Sequence, residues 1–155
     1  MIHVKEIMGQ PIMRCRIDET LDAAARLMWE HDCGILPVVD ETDRLVGVIT
    51  DRDVCMAAYT QGKPLFDLRV EGAMARKVYS CHEEDDVETA EQVMATARVR
   101  RLPVIDGGHR PVGMLSLCDI ARVARGDGVE KASGDVFCET LAAICAPTRR
   151  AISPA

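Results

Sequence analysis

The chain contains itself twice. Leu36-Pro37-Val38-Val39-Asp40 returns as Leu102-Pro103-Val104-Ile105-Asp106, an offset of 66 residues from Pro37 to Pro103. The same offset pairs Met8 with Met74, Cys15 with Cys81, Ala24 with Ala90 and Met28 with Met94. It also pairs Gly47 with Gly113, Thr50 with Ser116 and Asp53 with Asp119, and no gap is needed. The copies run from about Ile7 to Gly62 and from about Ala73 to Gly128. A gapless register of that length marks one structural unit used twice, and this fixes the architecture before any single element does.

Each copy opens on a short extended stretch, Ile12-Met13-Arg14-Cys15 or Val78-Tyr79-Ser80-Cys81. Acids follow, Asp18-Glu19 and Glu83-Glu84-Asp85-Asp86, where they oppose the positive end of a helix dipole. Leu21, Ala24, Ala25 and Met28 then share one helical face, as do Val87, Ala90, Val93 and Met94. Two β-branched runs come next, split by Glu41-Thr42-Asp43 in one copy and Gly107-Gly108 in the other, a spacing that suits a hairpin. A last helix begins near Asp51 and Leu117. The order is β-α-β-β-α, twice, an α/β chain of the α+β type. A unit of some fifty residues leaves apolar faces uncovered. The two copies are therefore expected to pack sheet to sheet about a pseudo-twofold axis and share a core.

The expected organisation is a first repeat with its lead-in over 1–62, a linker over 63–72, a second repeat over 73–126 and a tail over 127–155. In the tail, Ser133 or Asp135 is placed to cap a short helix through Cys145 that Pro147 stops. Thr148 to Ala155 reads as disordered. No apolar run reaches the length of a membrane helix and the first residues carry no apolar signal core, so a cytoplasmic location is expected. Seven widely spaced cysteines, with no C-x-x-C, form neither a disulfide framework nor a zinc motif, and read as small buried hydrophobes. The net charge of −6 argues against a general nucleic-acid binder. His3, His31, His82 and His109 fall in no metal or catalytic array, and no nucleophile elbow or P-loop lysine occurs, so no enzyme is expected.

Gly47-x-x-Thr50-x-x-Asp53 and Gly113-x-x-Ser116-x-x-Asp119 stand at the strand-to-helix junctions. A hydroxyl there caps the third helical N–H, and an acid three residues on completes a capping box. The same geometry also serves a ligand: a carboxylate one turn in accepts bonds from two ribose hydroxyls, and the helix N-terminus offers N–H groups to phosphate. The two readings are compatible. The strand glycines Gly47 and Gly113 are accounted for by close backbone packing.

The doubled L-P-V-[VI]-D and G-x-x-[TS]-x-x-D pattern, over about residues 7–126, resembles a tandem pair of cystathionine-β-synthase (CBS) domains, a Bateman module of the stand-alone bacterial type. The resemblance implies an adenosine-containing ligand, AMP, ADP, ATP or S-adenosylmethionine, in clefts between the repeats, and no tightly bound cofactor. It assigns ribose and phosphate contacts to Thr50, Asp53, Ser116 and Asp119. A phosphate clamp draws on Arg100 or Arg101, with Arg52 a weaker candidate, while the matched stretch of the first copy holds no base. Cys15, Cys81, Ile35, Pro37 and Pro103 are expected to line the base pocket. The family pattern often places Pro two residues after the first strand, where this chain has Ile17 and Glu83. The function implied is regulatory: an energy or metabolite sensor that pairs into a homodimer and signals to an effector on another chain. The alternative is a scaffold with empty clefts that works through dimerisation or its tail.

Overall fold

The computed structural model describes residues 2–125 and 134–146. A single helical turn, α1 (Val4–Ile7), leads in. The first repeat follows as β1 (Cys15–Arg16), α2 (Leu21–Glu30), β2 (Ile35–Val39), β3 (Leu45–Thr50) and α3 (Asp51–Gln61). The second is β4 (Cys81–His82), α4 (Val87–Ala97), β5 (Arg101–Ile105), β6 (Pro111–Ser116) and α5 (Leu117–Arg125), and α6 (Gly134–Cys145) closes the described chain. The architecture is mixed α+β with two three-stranded sheets. In each, the short first strand runs parallel to the second and the second antiparallel to the third. Registers match at the 66-residue offset: Ile35 faces Thr50 as Arg101 faces Ser116. The irregularity after Val38 recurs after Val104.

Local chemistry explains the punctuation. Thr20 caps α2 by accepting the Ala23 N–H at 3.3 Å, and Asp86 caps α4 by accepting the Thr89 N–H at 2.7 Å. Asp40 Oδ1 accepts the N–H groups of Thr42 (2.8 Å) and Arg44 (3.0 Å), which folds the hairpin turn. Asp106 does the same with Gly108 (2.8 Å) and Arg110 (2.9 Å). The Asp that ends each L-P-V-[VI]-D is thus a turn residue. The opening strands are shorter than the expected extended stretches. Only Cys15–Arg16 and Cys81–His82 pair with a neighbour, because the residues before them leave the sheet.

The interior differs from one shared core in an informative way. Leu21, Ala24, Met28, Leu36 and Ile49 gather in one cluster, and Val87, Ala90, Met94, Leu102 and Leu115 in another. Each cluster is completed by the other repeat's lead-in. Val4, with Ile7 and Met8 beside it, packs into the second, while Leu68, Val70 and Met74 pack into the first. The 63–72 linker is therefore structural, with 3-10 turns at Leu65–Asp67 and Val70–Gly72. The repeats also meet at the bulged hairpin ends, where the Leu45 N–H donates to the His109 carbonyl at 2.9 Å. The pseudo-symmetric position is Pro111, which has no N–H to return the bond.

Helix α6 packs on α4 and α5, and its Phe137 and Ile144 reach the second cluster. Its expected cap Ser133 and the 147–155 segment lie outside the described residues, as does the Asp135 side chain.

Candidate functional site

Both strand-to-helix junctions close as reciprocal caps. The Thr50 hydroxyl accepts the Asp53 N–H at 3.2 Å and donates to Asp53 Oδ2 at 2.7 Å. The Thr50 N–H donates to that same oxygen at 2.9 Å. Ser116 and Asp119 repeat the arrangement, with N–H bonds of 3.2 and 2.8 Å. Each cap uses only Oδ2 of its carboxylate. At Asp119 the second oxygen, Oδ1, meets the exposed guanidinium of Arg122. At Asp53 the cap leaves Oδ1 outside these bonds. Both carboxylates are half-buried, so they keep an open side.

A cleft of about 420 Å³ lies between the repeats. One wall is the first repeat's lead-in, Gly9 to Met13, with the α2–β2 connection from His31 to Ile35. The other is Arg101, Met114, Ser116 and Asp119 of the second repeat. The backbone joins the walls: Gly9 and Met114 exchange N–H···O bonds of 2.9 and 3.2 Å. Ile12, Met13, Ile35 and Met114 supply apolar surface, while Ser116, Asp119 and Arg101 supply polar groups. Concave apolar walls with a few convergent polar groups suit a small ligand. Burial pushes the Cys33 thiol up, and the Arg101 guanidinium across the cleft draws it partly back. A second hollow of about 370 Å³, lined by Trp29 and Asp51 among others, shares the Asp32–Gly34 wall.

Four expected site residues thus meet in one place: Ser116, Asp119, Arg101 and Ile35. Thr50 and Asp53 occupy the matching junction of the first repeat. Arg100 and Arg52 are exposed, Arg100 beside the start of α5, where its carbonyl accepts the Leu117 N–H at 3.0 Å. Cys15, Pro37, Cys81 and Pro103 are interior. The Cys15 thiol lies 3.9 Å from the Pro37 carbonyl, and burial pushes the Cys15 and Cys81 thiols up to about 12. Sequence reasoning missed the Gly9-Gln10-Pro11 wall and Met114. The Gly-Pro composition just before β1 was a signal for an irregular segment.

The CBS domain family model matches the chain twice, over residues 4–59 and 69–126. Hypoxic response protein 1 of Mycobacterium tuberculosis is 37% identical over 123 residues, which covers 79% of this chain and 85% of that protein. Among solved structures, the CBS domain pair of protein MJ0100, in complex with 5′-methylthioadenosine and S-adenosyl-L-methionine, is similar with a TM-score of 0.72 at 30% identity. That match covers 81% of this chain and 98% of the other. Hypoxic Response Protein I with two coordinated zinc ions gives 0.71 at 34% identity, covering 78% and 98%.

Proposed function

The chain belongs to the CBS-domain family, and on that footing we propose that it is a regulatory module whose inter-repeat cleft binds an adenosine-containing ligand of the AMP, ADP, ATP or S-adenosylmethionine type. The observation that carries this is the meeting of Ser116, Asp119 and Arg101 against an apolar wall from the other repeat. Asp119 accepts the ribose hydroxyls, with Arg122 free to swing into solvent, since its side chain is 66% exposed. The purine lies against Ile12, Met13, Ile35 and Met114. The adenosine compounds bound to the MJ0100 domain pair support the ligand class. Zinc is not part of the proposal: among the described residues no group of three or more His, Cys, Asp or Glu is placed to hold a metal ion.

The mechanism is linkage rather than catalysis. The cleft has walls from both repeats, so an exchangeable ligand favours one relative arrangement of them. A homodimer passes that state to an effector on another chain. No described helix is long and apolar enough to cross a membrane, and the reading places the sensor in the cytoplasm with its ligand.

One observation favours the scaffold reading instead: all four junction residues already serve as helix caps. Thermal unfolding separates the two. A ligand at about 100 times its Kd adds ~2.7 kcal/mol, several degrees for a chain of this size. AMP, ADP, ATP or S-adenosylmethionine is expected to raise Tm where GTP does not. The shift is lost in the Asp53→Ala, Asp119→Ala double variant. No shift with any of them at millimolar concentration would establish the scaffold.

A further inference from the structure

The 66-residue register gives the cleft a twin. Val48 and Ala75 exchange N–H···O bonds of 3.1 and 2.9 Å, as Met114 and Gly9 do on the other side. The Asp51 N–H donates to the Gly34 carbonyl at 3.2 Å, as the Leu117 N–H does to Arg100. The backbone that builds the Ser116–Asp119 cleft therefore exists a second time around Thr50 and Asp53. There 75–79 stands for 9–13, and 97–101 for 31–35.

The side chains do not repeat. Gln10 becomes Arg76, Pro11 becomes Lys77, Asp32 becomes Arg98, Gly34 becomes Arg100 and Ile35 becomes Arg101. The first cleft sets a single arginine, Arg101, against Asp32 and Asp119. At the twin's equivalent positions stand Arg76, Lys77, Arg98 and Arg100, while Arg101, the equivalent of Ile35, itself borders the first cleft. Arg98, Arg100 and Arg101 are exposed. Arg76 pairs with Glu71 at 3.0 Å, but both side chains are 61% exposed, so the pair is screened and yields readily. The Lys77 ammonium stands 5.3 Å over the Tyr79 ring.

We propose that the two clefts take different classes of adenosine ligand: the Thr50–Asp53 cleft takes one with a 5′-phosphate, and the Ser116–Asp119 cleft one whose 5′ group is uncharged or cationic. The inference rests on, and deepens, the reading of the clefts as adenosine sites. Phosphate oxygens want guanidinium forks and ammonium groups, and beyond the Arg101 that borders the first cleft the twin's equivalent positions add three arginines and a lysine. In the first cleft a phosphate would be brought beside Asp32, whereas a thioether loses nothing there and a sulfonium gains a counter-charge.

Calorimetric titration with AMP and with 5′-methylthioadenosine tests this on the full chain. Arg98→Asn, Arg100→Gln changes two exposed positions, and Asn tolerates the left-handed backbone at 98 (φ 55°). This variant should lose AMP affinity about tenfold or more, the scale expected for charge-assisted contacts, and keep its affinity for 5′-methylthioadenosine. Asp119→Asn should do the reverse. On the unaltered chain, added salt should weaken AMP and leave 5′-methylthioadenosine nearly unchanged. Equal losses for both probes, or AMP binding indifferent to both salt and the arginines, would overturn the partition while leaving the adenosine reading standing. Failure of both probes to bind the unaltered chain would remove that reading and the partition with it.

Discussion

Gly47 has no room for a methyl group. A Cβ there would lie 2.7 Å from Met74 Sδ and 3.1 Å from the Ala75 carbonyl, a backbone atom fixed by its bonds to Val48. Gly113 meets Met8 in the same way. Each glycine thus admits the lead-in of the other repeat. Gly47→Ala is expected to cost about 1–3 kcal/mol by overpacking, read as a lower urea midpoint. Gly72→Ala, with nothing within 4 Å of its added carbon, is the near-neutral control. Equal effects at the two positions would refute the contact. The pairing of Met8 with Met74 and of Gly47 with Gly113 was legible in the sequence. That Met74 lies on Gly47 was not, because periodicity does not say which repeat a lead-in packs against. The base-pocket expectation met a similar limit. Cys15 and Cys81 are strand residues with one inward face, and the sequence could not tell a face toward the core from a face toward the cleft.

Elements whose geometry is set within a few residues were the readable ones. The caps at Thr50 and Ser116, each closed over three residues, are of this kind. Helix α6 is different, since its place on α4 and α5 is a long-range contact. On α4 itself, Glu91 is buried, and its Oε1 has no hydrogen-bond partner among the described residues. Burial, with Glu88 nearby, raises its carboxyl above the ordinary value. An acid whose folded value exceeds its unfolded one resists ionising in the fold. Below the unfolded value, about pH 4, both states are neutral and nothing is lost; above the folded value the whole penalty stands. Glu91→Gln should therefore raise the urea midpoint at neutral pH, with the gain shrinking toward about pH 4. A gain independent of pH would mean that charge is not its cause.

On the scale of the molecule, the repeats are woven rather than stacked. Each core is closed by the other's lead-in, and the lead-in of the first repeat continues from Gly9 to Met13 as a wall of the cleft. Cleft and core are thus built from one segment, and a ligand there can be felt by both repeats. The pseudo-symmetry stops at the surface. Helix α6 covers α4 and α5, whereas α2 and α3 leave Trp29, Met56 and Tyr59 exposed. The most direct test of ligand binding between the repeats is a map of backbone amide NMR shifts on titration with AMP and 5′-methylthioadenosine. The account predicts saturable shifts concentrated at Gly34, Ile35, Ser116, Leu117 and Asp119, and at Thr50 and Asp53 with the phosphorylated ligand. Shifts confined to the outer helix faces around Trp29 and Tyr59, or no saturable shift at all, would contradict it.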